Sequence, residues 1–261
     1  NSNERLCIPK IDPKEFTEYI IEALKIEKDW IPKENGKSLY IRPMIVATDE
    51  CLGVHASKTY QFVCMFCPVA SYYKNGIEPV KIYVEHDYKR AVKGGTGFAK
   101  TAANYAQSLR SQEEAELAGY AQVLWLDAIE RKYIEEVGSM NIMFVIDDTV
   151  VTPELNGSIL PGITRASALE LLRDKGYKVE ERKISIDELI GAAKEGRLKE
   201  VFGTGTAAVI SPVGEILYEG THYVINDGKI GPVAQDIYDT NTDTQYGRIE
   251  DKYKWGRKIR I

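Results

Sequence analysis

Long apolar runs are missing from this 261-residue chain: nothing approaches the roughly 20 residues that a membrane-spanning helix needs. A basic excess is missing too. Lysine and arginine total 34 against 39 acidic residues, a net charge of −5 with both signs interspersed. That balance argues against nucleic acid or an anionic membrane as a partner, because each calls for a basic face. Four cysteines are too few to staple a protein of this length. The three histidines are scattered at His55, His86 and His222, so no metal is expected. Cys64 and Cys67 have a Cys-x-x-Cys spacing, but they lie in a strand-like stretch where residues three apart point to opposite faces. They read as buried apolar thiols. Few cysteines and no framework suit a reducing, cytoplasmic setting. The amino-terminal NSNERLCIPK has neither the layout of a signal peptide nor an initiator Met.

What is present is a 44% hydrophobic share, ample for one large core or two modest ones. Asp12-Pro13 marks a helix start, an N-cap followed by Pro in the first turn. Phe16, Tyr19, Ile20, Ala23 and Leu24 then recur on one helical face, and the pattern ends near Trp30-Ile31-Pro32. Strand-like segments follow at 38–46 and 58–68. Lys74-Asn75-Gly76 reads as flexible and polar. Beyond it come a strand near 80–85, a Gly-rich segment and a helix over 101–119. Short strands at 121–126, 140–146 and 149–152 precede a helix at 163–175, a strand at 177–183 and a helix at 186–196. Strands at 199–211 and 214–218 and a helix at 230–245 close the chain. The pattern predicts a mixed α+β (α/β) architecture in two domains. Residues 1–73 form a small α/β domain, 74–78 a linker, and 79–261 the large domain.

The densest chemical signal is Lys93-Gly94-Gly95-Thr96-Gly97-Phe98-Ala99-Lys100-Thr101. Its glycines let backbone approach a ligand closely. A phosphate-loop reading fails at one place, because Ala99 stands where that loop needs Gly directly before its Lys. A lysine at a helix start also sits at the unfavourable end of the dipole. Among such small neighbours, Lys100 makes more sense with its amine in a desolvated cavity, as a Schiff-base lysine needs.

The run GGTGFAKTAANYAQSL, followed in order by QVLWLDA, EEVGSMNIMFV, LNGSILPGITRAS and EVFGTGTAAVISPV, resembles the branched-chain amino acid aminotransferases. These are fold-type IV pyridoxal-phosphate enzymes. The resemblance runs from about Arg5 to the carboxyl end. It implies that Lys100 is the catalytic lysine and carries pyridoxal 5'-phosphate, and that Tyr105 lies beside the cofactor's phenolic oxygen. Glu136 would hold the pyridine nitrogen, where an ionised carboxylate keeps the ring protonated. Glu135 is the rival by proximity, although strand alternation turns it away. Arg90 resembles an arginine near the phosphate. Ile163 and Thr164, at a helix start suited to an anion, and Thr206, in a small-residue loop, match phosphate-binding positions. Ser139, Thr206 and Ala207 fall at substrate-binding positions. Tyr40 and Arg42, alternating onto one face of a strand, fall where the family reads the γ-carboxylate of glutamate or 2-oxoglutarate. A guanidinium suits that task.

The implied reaction exchanges the amino group of leucine, isoleucine or valine with 2-oxoglutarate. The implied assembly is a homodimer. Some relatives carry a Cys-x-x-Cys pair where this chain has Ala208 and Ser211, so no thiol switch is expected there. Relatives also have on the order of a hundred residues ahead of the first matched position. The expectation is that the present sequence omits that part of the small domain. A D-amino-acid aminotransferase, an aminodeoxychorismate lyase and a noncatalytic scaffold of the same fold stay open as alternatives.

Overall fold

The computed structural model describes residues 1–34, 36–70 and 77–259. The chain divides into two compact units, Asn1–Gly76 with Gly256–Ile261 and Ile77–Trp255. Of the expected linker, Lys74-Asn75-Gly76 lie outside the described residues.

In the first unit, a single turn α1 (Ser2–Arg5) precedes α2 (Pro13–Ile26). Asp12 caps α2 through its side chain, which accepts from the Lys14 amide at 2.7 Å. A short 3-10 turn (Lys28–Trp30) follows. Strands β1 (Ser38–Ala47) and β2 (Tyr60–Val69) form an antiparallel pair, with Tyr40 opposite Cys67 and Pro43 opposite Cys64. Phe16 of α2 meets Phe62 of β2 edge to face, ring centroids 5.4 Å apart, so α2 covers one side of this ribbon. Two expectations fail here. Cys64 is only half-buried and Cys67 is exposed, because a two-stranded ribbon cannot bury both of its faces. Tyr19, on the expected apolar face, is 56% exposed, and its hydroxyl bonds the Glu15 carboxylate. A side chain with a polar tip gains more at this rim than in the core.

The second unit is built on one nine-stranded sheet. Its strands are β3 (Val80–Val84), β4 (Gln122–Leu126), β5 (Ile134–Val137), β6 (Asn141–Ile146), β7 (Thr149–Thr152), β8 (Lys178–Glu181), β9 (Leu198–Gly205), β10 (Val209–Tyr218) and β11 (Thr221–Val224). The order is β5-β4-β3-β10-β9-β6-β7-β8, with β11 on β10. Its helices are α3 (Ala102–Leu117), α4 (Ile163–Asp174), α5 (Ile186–Lys194) and α6 (Pro232–Gln245). One core packs Ile82, Leu124, Ile142, Phe144 and Leu189. A second packs Met143, Phe202 and Ile210 with Leu172 of α4 and Ile237 of α6. Strand β6 therefore sends alternate residues to two cores, and its wholly apolar run from Ile142 to Ile146 is explained.

The expected break between the last two long strands moves. It falls at 206–208, and Pro212 lies inside β10, opposite Phe202 of β9. Just beyond Pro212 the strand changes partner. Val213 pairs with Val80 of the parallel β3, with a register shift before Glu215. A residue without an N–H and a bulge at Gly214 suit such a crossing.

Candidate active site

Strand β5 with the turn after it, and the loop ahead of α3 with the start of that helix, bring five of the expected residues to one cavity. Arg90, Lys100, Tyr105, Glu136 and Ser139 line it, together with Asn104, Ser108 and Leu160. Lys100 follows the turn Thr96–Ala99, which is closed by the Ala99 amide on the Thr96 carbonyl at 2.9 Å. At Gly97 a Cβ would stand 1.9 Å from the Ser158 carbonyl oxygen, so only glycine lets the turn lie flat there. The Lys100 amine donates to the Tyr105 hydroxyl, one helical turn further on. Lys100 itself is exposed. The expected desolvation of its amine is thus not a property of this unit alone, although the side chain forms part of the cavity wall.

Glu136 is 3% exposed and Arg90 6%. Their carboxylate and guanidinium form an ion pair, and Arg90 Nη2 also donates to the Ser158 carbonyl at 2.7 Å. Burial pushes the Glu136 carboxyl up to about 7, outweighing the opposite pull of Arg90 and of a bond from the Leu160 amide. Neighbouring Glu135 adds to the upward shift and Lys100 opposes it. Glu135 lines a different cavity, with Asn156 and Lys183. It accepts from Asn156 Nδ2 at 3.2 Å and from the Ser158 hydroxyl.

Asn141, which no sequence motif marks, joins three parts of the site. Its Nδ2 donates to Glu136 Oε1 at 3.1 Å and to the Leu160 carbonyl at 2.9 Å. Its Oδ1 lies where a Cβ on Gly162 would fall, 2.2 Å away. On the sheet it pairs with Thr204, two residues before Thr206. The one available signal was a polar residue opening an otherwise apolar strand.

Ile163 and Thr164 form the first turn of α4, whose N-cap Gly162 offers no side chain to cap it. Thr206 and Ala207 are exposed in the β9–β10 turn. The Met140 side chain packs over Gly203 and Gly205 in the strand leading to it, within 3.0 Å of where a Cβ would be. In the first unit, Arg42 Nη2 donates to the Tyr40 hydroxyl at 2.8 Å, with the guanidinium 5.0 Å from the ring centroid. Alternation does put the two on one face.

The donor set of the second unit fits pyridoxal phosphate. It offers an amine for a carbonyl carbon, a buried carboxylate for a ring nitrogen, and uncapped amides at a helix start for a phosphate.

The sequence profile of the family described as "Amino-transferase class IV" matches residues 1–216. The chain belongs to that family. It is 57% identical over 258 residues to branched-chain-amino-acid aminotransferase 2 of Bacillus subtilis (strain 168), spanning 99% of this chain and 71% of the relative. Among solved structures, the branched-chain amino acid aminotransferase of Escherichia coli superposes with a TM-score of 0.81 at 28% identity, covering 97% of this chain and 79% of that one. The branched-chain aminotransferase of the archaeon Thermoproteus uzoniensis, solved with norvaline, gives 0.78 at 26% identity, covering 97% and 77%. A further branched-chain amino acid aminotransferase, complexed with N-(5'-phosphopyridoxyl)-L-glutamate, gives 0.78 at 28% identity, covering 98% and 78%. The mixed α+β architecture expected from the sequence is the one these relatives share.

Proposed function

We propose that the chain transfers amino groups between branched-chain L-amino acids and 2-oxoglutarate with pyridoxal 5'-phosphate as cofactor. The observation that carries this reading is the single cavity shared by Lys100, Tyr105 and the buried Glu136. The 57% identity to a branched-chain aminotransferase supports the substrate class.

Lys100 holds the cofactor through its Nζ. Glu136 would hold the ring nitrogen and keep it protonated, with Arg90 fixing the carboxylate through its bonds to Glu136 and Ser158. The amides of Ile163 and Thr164, with Thr206, seat the phosphate. Bound pyridoxal phosphate supplies an electron sink for the pair left when the substrate loses its α-proton. Lys100 Nζ would take that proton from the substrate α-carbon and deliver it to the cofactor's former carbonyl carbon, the shift that amino transfer requires. Tyr105 keeps the amine oriented from one turn away. Ser139, Thr206 and Ala207 meet the substrate α-carboxylate, while Tyr40 and Arg42 read the γ-carboxylate of glutamate and 2-oxoglutarate.

The protein is further proposed to be a cytoplasmic homodimer without nucleic-acid or membrane partners. Four free thiols suit a reducing compartment, and the net charge of −5 disfavours polyanions. Among the described residues no helix is long and apolar enough to cross a membrane. The dimer rests on the family resemblance, and light scattering on the purified chain tests it. The activity is tested by coupling glutamate formation to an indicator reaction, with leucine, isoleucine and valine as donors. No turnover with any of the three would overturn the substrate class.

A further inference from the structure

Asn104 is the third residue of α3, and its side chain is committed to the loop in front of the helix. Nδ2 donates to the carbonyls of Thr96 at 2.9 Å and Ala99 at 2.7 Å, and Oδ1 accepts from Thr96 Oγ1 at 2.8 Å. Both amide protons are used, and the residue is 7% exposed. A polar side chain at this helical position ordinarily reaches back to the N-cap residue. This one passes the N-cap, Thr101, and fastens the turn that precedes it.

The two ends of this clamp are the two ends of the reactive pair. Ala99 directly precedes Lys100, and Tyr105, whose hydroxyl receives the Lys100 amine, directly follows Asn104. The loop needs such fastening. It contains three glycines, one of them, Gly94, at φ +84, and glycine segments have the most conformational freedom to lose. The backbone bonds here are short-range, Gly95 to Val92 at 2.9 Å, Ala99 to Thr96 at 2.9 Å and Thr101 to Ala99 at 3.0 Å. Without Asn104, the carbonyls of Thr96 and Ala99 lose their side-chain partner and the turn can drift relative to α3.

We propose that Asn104 is a positioning residue for Lys100, locking the loop that bears the amine to the helix that bears Tyr105. The inference rests on the reading of Lys100 as the lysine that carries the cofactor. A displacement of about 1 Å at a reacting group can cost on the order of a hundredfold in rate, so the clamp acts on turnover rather than on substrate affinity.

Three variants test this. Asn104→Ala removes all three bonds. Asn104→Asp keeps the shape but sets a carboxylate against two carbonyls. Thr96→Val removes one bond and disturbs folding least. Thermal melting reports the fold. In the cofactor-free protein, the rate at which an anhydride acylates Lys100 is read by peptide mass spectrometry. In the loaded enzyme, kcat and KM are measured with leucine and 2-oxoglutarate.

In Asn104→Ala, Lys100 is expected to acylate about threefold faster or more at a fixed pH, the effect of loosening one ordinary hydrogen bond. Its kcat falls by about tenfold to a hundredfold while KM stays within about threefold. Thr96→Val moves the same way by less. Asn104→Asp is slow at neutral pH and recovers relative to the parent as pH falls, because a protonated carboxyl can donate one bond. The proposal is overturned if folded Asn104 variants match the parent in acylation rate and in kcat per bound cofactor, with only a lower melting temperature. If neither Asn104 variant folds, a Thr96→Val protein with parental acylation and kcat overturns it. Failure of the underlying reading looks different: Lys100→Ala would still load cofactor with the parental spectrum, and the acylation comparison would then judge the clamp alone.

Discussion

Arg90 is wedged between the Glu136 carboxylate and the Ser158 carbonyl, so the most buried acid of the site is held by the most buried base. Even so, burial dominates. The Glu136 carboxyl is pushed up to about 7 from an ordinary 4.5 despite the adjacent guanidinium. A raised carboxyl means that the folded state takes up a proton which the unfolded chain has released. The stability associated with it is complete below about pH 4.5 and is lost as pH rises to about 7.

The cofactor-free protein is therefore expected to lose stability between pH 5 and pH 8. The loss from this group is at most roughly 3 kcal/mol, because each tenfold gain in proton affinity on folding corresponds to about 1.4 kcal/mol. Glu136→Gln flattens that part of the profile. Urea denaturation at the two pH values, on parent and variant, measures the difference. A parental slope unchanged in Glu136→Gln contradicts the assignment.

Removing the base is worse than removing the acid. Arg90→Met leaves Glu136 buried without its counter-ion, and broken buried pairs typically cost about 3–5 kcal/mol. Urea denaturation at pH 8 shows the largest loss, because there the parent gains from the carboxylate paired with Arg90, while the variant must hold a proton or bury an unpaired charge. The loss shrinks at pH 5, where the carboxyl is neutral.

Asn141 bonds both Glu136 and the Leu160 carbonyl. Asn141→Leu strips one bond from each and crowds Gly162. Cofactor affinity, measured by titrating pyridoxal phosphate into the cofactor-free protein, is expected to weaken by about tenfold or more, in line with roughly 1–3 kcal/mol for an unsatisfied buried polar group.

How far the sequence reached follows from which forces are local. Asp12-Pro13 announced α2 because a cap and a proline act within one turn. Lys100, Tyr105, Glu136 and Ser139 could be named because ordered blocks carry them, and they do line one cavity. Asn104 and Asn141 were not named. Their roles lie in bonds to the backbone of Thr96, Ala99 and Leu160, and no periodicity marks such partners. Arg90 was expected at a phosphate. Only the folded chain shows its tie to Glu136, because α3 and β4 separate the two along the sequence. The exposure of the β2 cysteines is not legible in the sequence, because strand patterning says which faces differ but not whether a second layer covers them.

The side-chain carboxylate of the amino acceptor provides a separate test of the first unit. Arg42→Met is expected to raise KM for 2-oxoglutarate by about tenfold, the loss of one charge-assisted contact. KM for leucine, which has no such carboxylate, stays within about twofold. Steady-state kinetics with each substrate varied in turn distinguish the two. Equal effects on both substrates would remove Arg42 from this role.

Lys100 is proposed to carry pyridoxal phosphate and to move the substrate proton. The most direct test is the visible absorbance of the purified, cofactor-loaded chain before and after leucine, alongside Lys100→Ala. A visible band that shifts on adding leucine is expected in the parent, and in the variant neither that band nor any turnover. A parent that stays colourless with added pyridoxal phosphate, or a Lys100→Ala protein that keeps both the band and its response to leucine, would contradict this role.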